Sequence, residues 1–238
     1  MSDVPLSILP EGPILVIAPH PDDETLGCGG LIAAASRDEQ RMHIVFVTEG
    51  GASHPNSIQW PREKLAEQRE AEANEALQRL GAGHQPRSFL RLKDAGMPAP
   101  GTPSYRRALC ALVAIVHGLR PKLVVLPWRR DPHCDHRDSW QLMTDALAAT
   151  GLTPEIYEYA IWLDKFGQPA DRPGTGEIEE LRLDISRDLA TKHHALQAHR
   201  SQLGQLITDD PSGFVLDEPT IARLTGAEEV FWRSCRAL

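Results

Sequence analysis

Short apolar runs alternate with amphipathic stretches along most of the chain. The runs have the length of buried strands and stand at residues 14–18, 43–48, 87–92, 122–127, 156–162 and 181–185. Stretches with apolar side chains at helical spacing lie at residues 31–36, 61–80, 104–118, from 136 to 149, and 187–203. No repeat or linker interrupts this alternation, so we assign residues 1–238 to one domain. Strands alternating with helices predict an α/β fold, a Rossmann-like three-layer sandwich with a mostly parallel sheet.

Polar residues are concentrated where two of the predicted strands end. The first strand runs into HPDDE at residues 20–24, and the fourth runs into a polar segment that ends in HCDH at residues 133–136. In a doubly wound sheet of order 3-2-1-4-5, strands 1 and 4 are neighbours where the strand order reverses. The topology therefore predicts that both motifs meet in one crevice at the carboxyl edge of the sheet.

The residue types in these motifs indicate a metal site. His20 and Asp23 are three positions apart, as are His133 and His136, which places each pair on one face of a helical turn. Imidazoles and carboxylates suit zinc, which in catalytic sites takes three protein ligands. The residues alone leave open which histidine of the second pair, and which of Asp22 and Asp23, binds the metal. A carboxylate off the metal would serve as general base, and a histidine off the metal would stabilise an oxyanion.

The glycines after the first motif suggest an alternative from another class of protein. Gly27 and Gly29 begin a G-x-G-x-x-G pattern of nucleotide-binding proteins, but Ile32 stands where the third glycine belongs. Three carboxylates would also repel a pyrophosphate at this place. A Rossmann-type nucleotide-binding module without hydrolysis therefore remains only as an alternative.

Charge and hydropathy exclude further classes of partner. The net charge of −8 argues against nucleic-acid binding, which needs a basic surface. No apolar stretch approaches the ~20 residues of a membrane span. The first residues lack the pattern of a secretory signal, and the four cysteines contain no C-x-x-C pair. We therefore expect a cytoplasmic protein with reduced thiols, and the sequence leaves a homo-oligomer open.

Two later segments carry weaker signals. Residues 165–176 are rich in proline and glycine without periodicity, which suggests a flap. His193, His194 and His199 lie on a predicted helix that is polar and charged. We interpret these three histidines as solvated surface.

The two motifs resemble those of the PIG-L (LmbE-like) family of zinc-dependent N-acetylglucosaminyl deacetylases. The likeness extends over most of the chain. Thr48-Glu49-Gly50 is similar to the family's T-D-G turn, Arg69-x-x-Glu72 to its R-x-x-E helix, and Lys192…Ser201-Gln202 to its late K…SQ segment. Two positions depart from the family pattern: Cys134 replaces a proline, and Glu49 replaces an aspartate.

The resemblance implies a role for each motif residue. The implied ligands of one zinc ion per chain, with Fe²⁺ as the alternative in the cell, are His20, Asp23 and His136. Asp22 would be the general base that activates water and later protonates the leaving amine. His133 would stabilise the oxyanion, and Asp135 would hold the His133 ring. Ligation by the Cys134 thiolate is disfavoured because both neighbouring histidines already face the site.

The resemblance also implies the reaction. A metal-activated water would remove the N-acetyl group from a small molecule or conjugate that contains N-acetylglucosamine (GlcNAc). Arg69 and Asp94 match positions that contact the sugar in relatives. The alternative with the same metal is an amidohydrolase acting on a longer N-acyl chain or a non-sugar amide. A roomy apolar slot beside the metal would favour that alternative.

Overall fold

The computed structural model describes residues 9–235, and within them seven strands form one sheet. The strands are Ile14–Ala18 (β1), Met42–Thr48 (β2), Arg87–Leu92 (β3), Leu123–Pro127 (β4), Glu155–Tyr159 (β5), Ile178–Asp184 (β6) and Glu228–Ser234 (β7). The helices are Asp23–Arg37 (α1), Arg62–Arg79 (α2), Pro103–Leu119 (α3), Cys134–Thr150 (α4), Leu163–Phe166 (α5), Leu189–Leu196 (α6) and Glu218–Leu224 (α7).

The strand order is β3-β2-β1-β4-β5-β7-β6, which confirms the predicted neighbourhood of the first and fourth strands. β1 pairs in parallel with both β2 and β4, so it lies at the point where the strand order reverses. The two last strands, β7 and β6, are antiparallel additions at one edge. The α/β fold with a mostly parallel sheet is therefore confirmed.

Both faces of the sheet are covered by apolar side chains, which explains why β1 is apolar throughout. Val16 faces the cluster that contains residues of α1, α2 and α6, whereas Leu15 and Ile17 face the cluster formed with α3 and α4. Alternate side chains of a strand point to opposite faces, so a strand between two helical layers needs apolar residues at every position. These two helical layers and the sheet make the predicted three layers.

The second half of the chain departs most from the predicted boundaries. β7 and α7 were not predicted, and α6 ends at Leu196 instead of residue 203. α1 begins eight residues earlier than predicted and contains the glycines. A Cβ at Gly27 would lie 2.4 Å from the ring of Tyr159, and one at Gly30 would lie 2.4 Å from Ile185. The glycines therefore let this helix approach its neighbours closely.

Residues 165–176 are partly ordered into helix. They include the end of α5 and a short 3₁₀ helix at Pro169–Asp171. Within residues 9–235, each helix is too short or too polar to cross a bilayer. Residues 1–8, on which much of the secretory-signal argument depends, lie outside the described part of the chain.

Candidate active site

The two motifs meet at the carboxyl edge of the sheet, where the topology predicts them. His20 lies between β1 and α1, and Asp23 is the first residue of α1. His133 caps the N-terminus of α4, and His136 lies in its first turn. The centroid of the His20 ring lies 4.8 Å from that of His133 and 5.6 Å from that of His136. Residues more than a hundred positions apart therefore form one cluster.

One carboxylate oxygen joins the three residues that the resemblance implies as metal ligands. Asp23 Oδ2 lies 3.1 Å from His20 Nδ1 and 3.2 Å from His136 Nε2. The same oxygen accepts a hydrogen bond from the backbone N–H of His20 at 2.9 Å. Nearby, ligand atoms of His20, His133 and His136 lie within 4.8 Å of one another. The structure thus gathers both the implied set and a third imidazole that could bind a metal.

The ring of His136 has unfilled hydrogen-bonding capacity although it is fully buried. Among the described residues, neither of its ring nitrogens makes a hydrogen bond of normal geometry. Asp131 Oδ1 lies 3.5 Å from its Nδ1. Burial lowers the pKa of His136, but the charges of Asp23 and Asp131 outweigh burial and raise it to about 9. A buried imidazole between two carboxylates, with both nitrogens unsatisfied, is a place for a cation.

Asp131 is a residue of the cluster that the motif analysis missed. It is fully buried and accepts the backbone N–H of His133 at 3.0 Å and that of Trp162 at 3.1 Å. Its carboxylate therefore connects the second motif to the segment after β5. Its position in the polar segment after β4, two residues before His133, could have marked it as part of the site.

The residues present fit a divalent metal. Two imidazoles and one carboxylate are a donor set that zinc takes in catalytic sites. A metal-binding histidine usually contacts a carboxylate with its other ring nitrogen. Asp135 Oδ2, 3.0 Å from His20 Nε2, and Asp131, beside His136 Nδ1, occupy those positions.

Asp22 is held in an unusual backbone conformation beside a buried cation. Its φ of 155° and ψ of −24° are rare for a residue with a side chain, and such conformations cluster at functional sites. Asp22 Oδ1 lies 3.0 Å from Arg69 Nη2. Burial raises the pKa of Asp22 to about 6, aided by Asp23 and opposed by Arg69. This carboxylate can therefore exchange a proton near neutral pH.

Arg69 connects two loops of the site in addition to contacting Asp22. Its Nη1 donates to the carbonyl oxygen of Gly50 at 2.7 Å, and its Nη2 donates to that of Pro21 at 3.0 Å. Arg69 is buried and lines the cavity described below. The predicted sugar contact of this residue stays a prediction.

Asp135 contacts the His133 ring through its backbone N–H, while its carboxylate faces a different histidine. The backbone N–H of Asp135 donates to His133 Nδ1 at 3.2 Å, while its carboxylate contacts His20 and accepts the N–H of Ala95 at 2.8 Å. Position 135 lies in the first turn of α4, which directs its N–H toward the capping His133. Burial and the nearby His20 and His136 lower the pKa of His133 to about 4.

Asp94 and Glu49 form a connected pair at the rim of the cluster. Asp94 Oδ1 lies 3.3 Å from His20 Nε2, and Asp94 Oδ2 accepts the N–H of Ala52 at 2.8 Å. Glu49 accepts the backbone N–H of Asp94 at 2.8 Å and the Nε–H of Arg62 at 2.6 Å. The glutamate that departs from the family pattern thus supports Asp94 from the neighbouring loop.

A cavity of about 430 Å³ opens beside this cluster. This volume lies in the range of roughly 300–1,000 Å³ that is usual for small-molecule sites. The polar part of its lining includes Asp22, Asp94, Ser53 and Gln202, and Gln202 Oε1 has no hydrogen-bond partner among the described residues. Its apolar part includes three aromatic side chains, those of Trp162, Phe166 and Phe214.

The structure contradicts a phosphate-binding role for the glycines. They lie inside α1 and face Tyr159, Lys192 and Ile185, so no phosphate can approach them. The interpretation of His199 as solvated surface is also wrong. This residue is fully buried, with its Nε2 3.3 Å from Glu24 Oε1 and 3.1 Å from Thr25 Oγ1. Both contacts join it to the first turn of α1.

Comparisons with known proteins agree with this chemistry. The chain matches the model of the PIG-L family, described as GlcNAc-PI de-N-acetylase, over residues 15–147. It is 31% identical to the 1D-myo-inositol 2-acetamido-2-deoxy-alpha-D-glucopyranoside deacetylase of Rhodococcus opacus, over 84% of this chain and 83% of that relative.

Solved structures add a second comparison. The N,N'-diacetylchitobiose deacetylase of Pyrococcus horikoshii superimposes with a TM-score of 0.67 at 25% identity, over 92% of this chain and 82% of that one. A 4-carboxy-2-hydroxymuconate hydratase of Pseudomonas putida reaches a TM-score of 0.65 at 21% identity, over 94% and 96%. This last likeness shows the fold alone, so the fold by itself does not decide the reaction.

Proposed function

The chain belongs to the PIG-L family, and from this premise we propose that it is a metal-dependent N-deacetylase of a GlcNAc-containing small molecule or conjugate. The observation that carries the proposal is the convergence of His20 and His136 on one oxygen of Asp23, with Asp22 beside them. This arrangement suits metal-assisted amide hydrolysis, since it supplies a metal donor set and a carboxylate base, whereas it offers a nucleotide no phosphate contact.

We assign zinc as the metal and His20, Asp23 and His136 as its ligands. The support is the donor set, the buried unsatisfied ring of His136, and the carboxylates behind both imidazoles. When bound, zinc would polarise the amide carbonyl and lower the pKa of a water molecule to about 7.

Asp22 acts as the general base in this proposal. It removes a proton from the attacking water, and a bond forms between the water oxygen and the amide carbonyl carbon. Asp22 then delivers the proton to the amide nitrogen as the C–N bond breaks, which leaves acetate and a free amine. Arg69 holds the carboxylate in place from 3.0 Å.

His133 stabilises the negative charge that develops on the carbonyl oxygen. Because the backbone N–H of Asp135 occupies its Nδ1, a neutral His133 carries its proton on Nε2 and donates from there. Its pKa of about 4 keeps the ring neutral at physiological pH. Asp135 therefore positions His133 through its backbone.

Metal analysis combined with an acetate-release assay tests the proposal. We expect about one metal ion per chain after loading with zinc, and acetate release from at least one GlcNAc glycoside that stops after chelation and resumes after zinc is restored. Metal-loaded protein that releases no acetate from any GlcNAc conjugate would refute the deacetylase proposal.

A longer N-acyl substrate is the second candidate, because the cavity beside the cluster is larger than an acetyl group needs and has an aromatic side. N-acetyl and N-butanoyl forms of the same glucosaminide distinguish the two candidates. Faster hydrolysis of the acetyl form supports the first.

A further inference from the structure

Three aromatic side chains form a continuous surface on one side of the cavity. The ring of Trp162 is 5.9 Å from that of Phe166 and 5.6 Å from that of Phe214, measured between centroids. All three line the cavity beside the metal cluster, which also contributes to its lining. The metal cluster is the set His20, Asp22, Asp23, His133 and His136. We call Trp162, Phe166 and Phe214 the aromatic wall.

The aromatic wall presents only carbon atoms to the cavity and no hydrogen-bonding group. Phenylalanine has no polar side-chain atom, and the single polar atom of Trp162, Nε1, is buried without a hydrogen-bond partner among residues 9–235. The polar lining belongs to other residues, among them Ser53, Asp94 and Gln202. A group that packs against the wall therefore gains apolar contact from it and no hydrogen bond.

One end of the wall is exposed, whereas the metal cluster is largely buried. Phe166 is 55% exposed and is one of three exposed large apolar residues in the described part of the chain, while Trp162 is 8% exposed. His20 is 7% exposed and Asp23 only 2%. Since hydrolysis takes place at the buried cluster, a group that reaches Phe166 is a part of the substrate that extends outward from the reacting amide.

The wall is held in position before any substrate arrives. Lys165 pairs with Asp217 at 2.6 Å, which ties α5 to the segment that follows Phe214. The N–H of Phe214 donates to the carbonyl oxygen of Ser53 at 2.7 Å. The N–H of Trp162 donates to Asp131, the carboxylate beside His136. The wall and the metal cluster therefore share a buried anchor, and a preformed apolar surface binds without an ordering cost.

From these observations we infer that the substrate is a GlcNAc conjugate with an apolar aglycone, an aromatic ring or an alkyl chain, which packs on the aromatic wall. The inference rests on the proposed deacetylase function and specifies its substrate class. The inferred aglycone differs from that of the relative in Rhodococcus opacus, whose substrate carries inositol, a polar ring.

Acetate release from glycosides that differ only in the aglycone tests the inference. The substrates are the phenyl, octyl and methyl glycosides of GlcNAc in both anomers, and the inositol conjugate, all with zinc-loaded full-length protein. We expect kcat/KM for the phenyl or octyl glycoside to exceed that for the methyl glycoside by about tenfold or more, mostly through a lower KM.

Phe166→Ala is expected to lower kcat/KM for the phenyl glycoside more than for the methyl glycoside, so that their ratio falls toward one. Ile58→Ala is the matched control, because Ile58 is 90% exposed and does not line the cavity. The control should keep the wild-type ratio.

The outcomes separate the inference from the function on which it rests. Acetate release that is equal for all aglycones, or fastest for the inositol conjugate, would overturn the inference and leave the deacetylase proposal intact. A preference for N-butanoyl over N-acetyl, lost in Phe166→Ala, would show that the wall binds an acyl chain, which also overturns it. No acetate from any conjugate would refute the proposed function and the inference together.

Discussion

Two clusters of buried polar groups lie along the first half of α1, and they differ in how completely their hydrogen bonds are made. The metal cluster stands at the start of the helix. The second cluster, Lys192 with Glu229, stands where Cys28 breaks the helix with a φ of −149° and a ψ of 25°. Both clusters are largely buried, so they differ chiefly in how completely their hydrogen bonds are made.

Every group of the Lys192–Glu229 cluster has a partner. The Glu229 carboxylate accepts the N–H groups of Gly30 and Leu31, at 2.6 and 2.8 Å, which the break leaves without intrahelical acceptors. Lys192 Nζ donates to Glu229 at 2.7 Å and to the carbonyl oxygen of Leu26 at 3.0 Å. The pair therefore repairs the hydrogen bonding of an interrupted helix, which is a structural role.

The hydrogen bonding of the metal cluster is incomplete by contrast. His136 has two unsatisfied ring nitrogens, and Asp22 has a rare backbone conformation. Unsatisfied buried groups and local strain cost stability, and proteins retain them where function needs them. The completeness of hydrogen bonding, more than burial or charge, therefore distinguishes the metal cluster from the Lys192–Glu229 pair.

The largest effect is expected for His136→Ala. Loss of one of three ligands should reduce the bound metal from about one ion per chain to near zero, and acetate release with it. Elemental analysis of the purified variant measures this. His194→Ala, at an exposed position of α6, is the control and should keep its metal. Normal metal content in His136→Ala would reject the ligand assignment.

Asp22→Asn should retain metal and lose turnover. An amide cannot take up the proton of the attacking water, so we expect kcat to fall by roughly 10²- to 10⁴-fold. Steady-state kinetics together with metal analysis check both parts. Asp38→Asn, at the other end of α1, should leave kcat unchanged. Full activity of Asp22→Asn would show that another group is the base.

Lys192→Met should affect stability. It leaves the buried Glu229 carboxylate without its counter-charge, which costs about 3–5 kcal/mol and lowers Tm by roughly 10 °C. Lys165→Met breaks a pair of similar length, 2.6 Å, at a partly exposed site and should cost about 0–1 kcal/mol.

The double variant Lys192→Met/Glu229→Gln sharpens the stability comparison. Removing both charges should be milder than removing one, because no unpaired charge remains and the amide oxygen of glutamine can still accept a backbone N–H at this helix break. Thermal unfolding of the four proteins measures the differences. Equal losses for Lys192→Met and Lys165→Met would contradict the structural role given to the buried pair.

The smallest effect is expected for Cys134→Ser. Cys134 is exposed, and its Sγ makes only a weak contact with Asp135 Oδ1 at 3.6 Å. We expect metal content and kcat/KM near those of the wild type and a stability change within about 0.5 kcal/mol. Loss of metal from this variant would identify the thiolate as a ligand and reopen the assignment of His136.

The limits of prediction are clearest in the segment after β5. Strand β7, which lies between β5 and β6, has neither a continuous apolar run nor a clear alternation, since it begins with two glutamates and ends in WRS. It forms because β5 and β6 both offer it hydrogen bonds. Glu229 on this strand and the buried His199 have charged sequence neighbours, so local patterns gave no sign of their burial.

The amino-acid sequence by itself determined the parallel half of the sheet and the meeting of HPDDE with HCDH. Those features follow from local periodicity and from the rule that neighbouring parallel strands end at the same edge. Only the tertiary structure decided that Asp131 supports His136, that the Asp135 carboxylate faces His20, and that an aromatic wall stands beside the cavity. These contacts depend on the angles at which distant segments pack, and no local pattern in a single sequence encodes those angles.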